Sequence, residues 1–104
     1  MAEIQPEILE IAKKYIFILE SNGFPIKEAY LFGSYVLGNY NEWSDIDLAV
    51  VSDKFEGTRF LDKEKIRGLY RLVDLRLSVL PLNNESLDSY FIQKEVIEKG
   101  IKIN

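Results

Sequence analysis

Two groups of residues in this chain are of types and at spacings that could do chemistry. Asp45 and Asp47 stand two apart in Ser44-Asp45-Ile46-Asp47-Leu48. At i and i+2 of a strand their carboxylates point the same way, roughly 7 Å apart along the backbone rise, near enough to lean onto one cation. Without a counter-ion such a pair repels and one member tends to hold a proton. A divalent ion removes that conflict. The second group is Gly33-Ser34-Tyr35-Val36-Leu37-Gly38. A glycine-serine turn that follows a strand and opens a short helix presents backbone N–H groups and a helix dipole to an anion. Gly33 permits close backbone approach, and the Ser34 hydroxyl can donate to a phosphate oxygen. Together the two groups describe a place for a metal-bound nucleoside triphosphate. Alone, each has an ordinary reading: a strand-end aspartate pair, or a plain strand-to-helix turn. Neither the P-loop nor the Gly-x-Gly-x-x-Gly pattern is present.

A metal–phosphate site needs more oxygen ligands than one pair supplies. Asp74 is the third candidate, because it interrupts an apolar run where a helix gives way to a strand. The competing reading for Asp74 is a salt bridge with Arg76 or Arg71, and position alone divides the two about evenly. Asp53, Glu56, Asp62 and Glu64 read as solvated charges of loops and helix starts. Trp43, Tyr35 and Tyr40 lie near the site in sequence; such residues can stack on a base, worth about 1–3 kcal/mol, but packing against neighbouring elements is the favoured reading.

Composition narrows the chemistry. The chain has 104 residues, no cysteine and no histidine. That excludes thiolate and histidine metal sites, disulfides, and Ser-His-Asp or Cys-His nucleophile systems. Any metal is held by oxygen, which favours magnesium, manganese or calcium. A net charge of −4 argues against a protein whose main partner is a nucleic-acid backbone. No apolar run is long enough for a membrane span, and the first residues lack a basic secretory start, so a cytoplasmic address without membrane contact is expected.

The elements that must position these residues follow from periodicity. Pro6 to Ser21 reads as a helix with Ile8, Ile11, Ala12, Tyr15 and Leu19 at helical spacing, ended by Asn22-Gly23. Leu9, Phe17 and Ile18 widen its apolar surface, which points to deep burial or a partner surface, with burial the favoured reading. Lys27–Phe32 reads as a strand and Ile46–Val51 as the clearest strand, apolar enough to be covered on both faces. Phe60 to about Leu72 reads as a helix that Gly68 makes irregular, and Val73–Val79 as a half-exposed alternating strand ended by Pro81. Ser86 is the expected cap of a last helix to about Lys99, followed by a short strand over 101–103. The expected class is α/β, a mixed central sheet of about four strands with helices packed on it.

Leu31-Phe32-Gly33-Ser34, then Gly38, then Ser44-Asp45-Ile46-Asp47-Leu48-Ala49-Val50 resembles the signature of the DNA polymerase β-like nucleotidyltransferases, and more narrowly of the minimal, one-domain members. Val73-Asp74-Leu75-Arg76 is similar to the strand that carries that family's third carboxylate, and Lys99-Gly100-Ile101-Lys102-Ile103 to its ending. The resemblance implies one nucleotidyltransferase domain over 1–104: an N-terminal helix about 6–21, a motif core about 26–80, and a C-terminal helix and strand about 86–103. It implies two magnesium ions, or manganese, on Asp45 and Asp47, with Asp74 ligating one ion and helping to deprotonate the acceptor. Gly33, Ser34 and Ser44 form the implied nucleotide-binding set. The implied reaction moves AMP from ATP to a hydroxyl and releases pyrophosphate. The chain departs from the family where many relatives carry basic residues, at Tyr35 and Leu37, and Leu37 gives up a charge that would meet triphosphate.

The implied partners are ATP, a helical protein of the HEPN class as in minimal-nucleotidyltransferase antitoxins, and a second copy of the chain. Three readings result: a nucleotidyltransferase acting on a partner protein, an antitoxin-like subunit that works by covering its partner with little or no catalysis, and a nucleotide or metal sensor.

Overall fold

The computed structural model describes residues 4–104. Helix α1 spans Pro6–Ser21, with Pro6 in its first turn, where the missing N–H would have had no intrahelical partner. Its buried stripe is Ile8, Ala12, Tyr15, Ile16 and Leu19. Phe17, expected to be buried, is 67% exposed, because it lies on the opposite side of the helix from that stripe. The helix stops as Asn22-Gly23 requires. Gly23 turns at φ +90, Gly23 N–H donates to Glu20 O and Phe24 N–H to Leu19 O, the paired bonds of a glycine C-terminal motif.

Strands β1 (Glu28–Phe32), β2 (Ile46–Val51), β3 (Leu77–Leu82) and β4 (Ile101–Lys102) form one sheet in the order β3-β2-β1-β4. β1 pairs antiparallel with β2 and β4, and β2 pairs parallel with β3. Alternation sorts the strand residues onto two covered faces. Ile46, Leu48, Val50, Ala29, Leu31 and Leu77 meet α1 on one face. Tyr30, Ala49, Val51, Leu80 and Leu82 meet Ile92 and Val96 on the other. That double cover is why β2 is apolar at nearly every position.

Three expected boundaries move. The helix expected over 60–72 is α3, Arg59–Lys65, followed by a separate single turn of 3₁₀ helix at Leu69–Leu72. Gly68, at φ +80, bends the chain between them. The strand expected over 73–79 begins only at Leu77 and runs through Pro81. Asp74 accepts the backbone N–H of Arg76 at 2.8 Å, which turns the chain before it can pair. Pro81 is tolerated because β3 is an edge strand, whose outer side has no ladder bond to lose. The last helix is not capped by Ser86, which instead bonds Asn83. It forms a wide π-type helix α4 over Ile92–Glu98, entered from Ser89, whose carbonyl accepts Gln93 N–H.

Gly68 has open space around its Cα, so Gly68→Ala tests backbone strain alone. Its left-handed φ predicts a loss of about 1–2 kcal/mol, read as a lowered urea midpoint with an unchanged slope.

Candidate active site

The site lies where β1 ends and β2 and β3 begin. The antiparallel register sets Phe32 opposite Asp47, so the turn after β1 passes directly over the Asp47 side chain. Gly33 adopts φ 77, ψ −154, a region that only glycine enters readily. A Cβ there would overlap Asp47 Oδ2. Glycine is therefore required twice, by backbone conformation and by the carboxylate beneath it.

Helix α2 is a single turn, Ser34–Leu37. Val36 and Leu37 N–H donate back to Gly33 O at 3.1 and 3.0 Å, so the N–H groups of Ser34 and Tyr35 precede the first intrahelical bond. Gly38, left-handed at φ 91, closes the turn. Leu37 is 56% exposed, an apolar side chain on the rim where a cation would meet phosphate.

Asp45 is exposed in the loop entering β2, and Asp47 is half-buried on the strand. Burial first, and the Asp45 charge second, push the Asp47 carboxyl above the usual carboxylate range. The pair is a repulsive arrangement that a cation would relieve. Two hard carboxylates fit magnesium, which takes one or two of them and completes its shell with water and phosphate oxygens. Ser44, expected at the nucleotide, accepts the backbone N–H of Asn41 at 2.8 Å and so ties down the turn that delivers Asp45.

Asp74 does not join the pair. Among the described residues no group of three carboxylates, histidines or cysteines could hold a metal ion. Its carboxylate meets the Arg76 guanidinium in a two-pronged contact at 3.1 and 3.0 Å. That hydrogen bonding holds the Asp74 carboxyl below its usual range and raises the Arg76 guanidinium. The structure thus shows Asp74 in the salt bridge with Arg76, one of its two expected readings. The position on β3 that faces Asp47 in the parallel register is Ser78.

The sequence reading missed what Arg76 does. Its guanidinium also donates to the Tyr35 hydroxyl at 3.3 Å and lies 3.6 Å from Glu7. Tyr35 is buried and stacks on Tyr40 at 4.7 Å, and Tyr40 accepts from Gln5 at 2.6 Å. One guanidinium thus ties the start of α1, the phosphate-side turn and the 74–76 turn together. Tyr35 between two glycines was the one available signal. The packing reading of Tyr35 and Tyr40 holds, whereas Trp43 stands 83% exposed. Asp62, expected to be solvated, is fully buried and accepts the N–H groups of Glu56 and Gly57 at 2.7 and 2.9 Å.

The family model for the nucleotidyltransferase domain matches residues 8–103. This chain belongs to that family. A protein of Methanocaldococcus jannaschii, described as a candidate protein adenylyltransferase, is 31% identical over 98 residues, which span 93% of this chain and 95% of the relative. A crystal structure of a candidate nucleotidyltransferase from Sulfolobus solfataricus shares the fold at TM-score 0.65, covering 98% of this chain and 89% of that one at 21% identity. A toxin–antitoxin crystal structure with AMP-PNP matches at TM-score 0.63 and 26% identity, over 88% of this chain and 70% of that one. The nucleotidyltransferase four-stranded mixed sheet is thus shared, and nucleotidyl transfer is the family chemistry.

Asp74 has a lowered pKa, so its ion pair stabilises the fold above the ordinary carboxylate value of about 3.9, and that stability is lost as pH falls through the depressed value. Asp74→Asn should cost about 1–2 kcal/mol at neutral pH, with the difference from wild type vanishing once the pH lies below the depressed value. Urea unfolding at pH 7, 4 and 2.5 measures it. Asp47 has the opposite sign. Its raised pKa penalises the ionised native state at neutral pH, so Asp47→Asn should raise Tm in metal-free buffer, and that gain should fade as pH falls through the raised native value and be gone below the unfolded one.

Proposed function

We propose that this protein is a metal-dependent nucleotidyltransferase that moves AMP from ATP to a hydroxyl on a partner protein, in the manner of a minimal-nucleotidyltransferase antitoxin in the cytoplasm. The observation that carries this reading is the Asp45–Asp47 pair, with Asp47 lying directly under the Gly33-Ser34 turn. The naming of the M. jannaschii relative as a candidate protein adenylyltransferase supports AMP as the group moved. The toxin–antitoxin neighbour with AMP-PNP supports both an adenine nucleotide and a protein partner.

Asp45 and Asp47 would hold magnesium, with manganese as the alternative. The ion supplies charge neutralisation of the phosphates when bound. Gly33 lets the backbone approach the β- and γ-phosphates, and the Ser34 hydroxyl and first-turn N–H groups donate to them. Asp47 is held rigid between β1 and β3, so the phosphorus is met by a site already in place. The acceptor oxygen forms its bond to the α-phosphorus as the bond to the β-phosphate oxygen breaks. Pyrophosphate leaves, and with Asp74 tied to Arg76 the acceptor proton passes to water.

Two observations favour a second reading. The site offers two carboxylates rather than three, and Leu37 puts an apolar group beside the phosphates. Both suit a subunit that covers its partner and catalyses weakly. Radiolabelled ATP, magnesium and the co-purified partner separate the two. The first reading predicts label on the partner, cut at least about 100-fold by Asp45→Asn or Asp47→Asn but less than about tenfold by Asp74→Asn. Transfer that survives Asp45→Asn with Asp47→Asn would remove this site assignment. No transfer, with partner binding unchanged in the double variant, would favour the covering role.

A further inference from the structure

Asp47 has different neighbours on its two sides. Toward β1 it meets Gly33, and toward β3 it faces Ser78. In an in-line displacement the attacking and leaving oxygens lie on opposite sides of the phosphorus. If pyrophosphate leaves on the Gly33-Ser34 side, the acceptor has to come in over β3.

A groove runs there. A cavity of about 370 Å³ is lined by Asp45, Lys63, Arg67, Tyr70 and Ser78. A second, of about 190 Å³, shares Lys63, Ser78 and Val79 with it and continues to Phe32, Arg59 and Phe91. A third shares Arg59 and Phe91 and extends along Pro81 and Leu82. The three form one path along the sheet edge, with β3 and its apolar neighbours on one side and α3 on the other.

The α3 side is cationic. Arg59, Lys63 and Arg67 fall four residues apart: Arg59 and Lys63 are about 6 Å apart along the α3 axis, and Arg67 follows just past the helix end. All three are exposed. Among the described residues no carboxylate lies within 4 Å of Arg59 or Lys63, and Arg67 has only Glu64 at 3.6 Å. Asp62, on the same helix, is turned away and buried against the Glu56 and Gly57 N–H groups. In a chain of net charge −4, a row of cations two of which have no carboxylate partner among the described residues suits an external anion.

We infer that this groove is the acceptor channel, and that Arg59, Lys63 and Arg67 select an extended, acidic segment of the partner protein beside the hydroxyl that receives AMP. Alternate residues of an extended chain repeat at about 6.6 Å, close to the spacing of the cations, so carboxylates at every second position meet the row in register. The apolar wall of Val79, Phe32 and Phe91 suits the intervening side chains. A nucleic-acid strand fits less well, because a chain of net charge −4 repels a backbone charged at every residue more strongly than a segment charged at every second one. The inference rests on the nucleotidyltransferase reading for the direction of approach.

Fluorescein-labelled peptides of about ten residues centred on a tyrosine test it, with Glu, Ser or Lys at alternate flanking positions. The Glu peptide should bind at least about tenfold tighter than the Ser peptide, and Arg59→Glu with Lys63→Glu should erase that preference. Affinity for a fluorescent ATP analogue with magnesium should stay within about twofold, since the row lies on the acceptor side. Equal binding of the three peptides, or Glu-peptide binding unchanged in the double variant, would overturn the inference. So would an equal loss of ATP affinity, which would assign the row to the triphosphate, or tighter binding of a ten-nucleotide single strand. Peptide binding with the expected charge preference but no ATP binding by wild type would count against the nucleotidyltransferase reading and leave the groove standing.

Discussion

The antiparallel register of β1 and β2 is the constraint on which the site depends. It sets Phe32 opposite Asp47, so the chain leaving β1 must cross the Asp47 carboxylate within one residue. Only a residue without a Cβ makes that crossing, and only glycine readily takes the backbone angles it demands. The turn, the single helical turn of α2 and the second glycine that ends it then follow in order. A slip of one residue would send Asp47 to the opposite face, into the core with α1, and would dissolve the site. The register is in turn secured by burial, since Leu48 and Val50 on one face and Ala49 and Val51 on the other are all sequestered.

Around that crossing the electrostatics divide into two kinds. Asp45 and Asp47 are left uncompensated, and the raised Asp47 pKa records the cost to the folded state. Perturbed carboxylates of this sort gather where a ligand is to be met. Asp74 and Arg76 are the reverse, a satisfied pair whose partners are fixed by hydrogen bonds from side chain and backbone. Arg76 extends that satisfaction to Tyr35 and Glu7, so the turn that opens with Gly33 is braced by a cation that is itself paired. The molecule thus keeps one acidic pair unpaired and uses the third acid as scaffold.

Much of this was legible along the chain. Helix α1, strand β2, the glycine turn and the aspartate pair each follow from local rules: a 3.6-residue stripe, a doubly covered apolar run, and spacing of two on a strand. The misreadings have local causes too. Val73–Val79 alternates as a strand should, yet Asp74 captures the Arg76 N–H and turns the chain, leaving Leu75 75% exposed. Ser86 and Ser89 are both plausible starts for the last helix, and the Asn83 side chain decides between them. Asp62 looks like an ordinary surface charge until the loop at Glu56-Gly57 folds back onto it.

Residue type and short spacing determined the chemistry available to this protein: oxygen ligands without histidine or thiol, a turn that accepts close approach, and two carboxylates on one side of a strand. Those properties are local, so sequence carries them whole. Tertiary structure decided which groups meet. Ser78 rather than Asp74 faces Asp47 because the parallel register of β2 and β3 sets that pairing. Arg59 and Lys63 of α3, with Arg67 just beyond it, come to line a groove because the helix packs beside an edge strand. Neither relation exists within any short stretch of the chain, since each depends on contacts between segments more than ten residues apart. Local spacing says what a side chain can do, and only the folded packing says what it is beside.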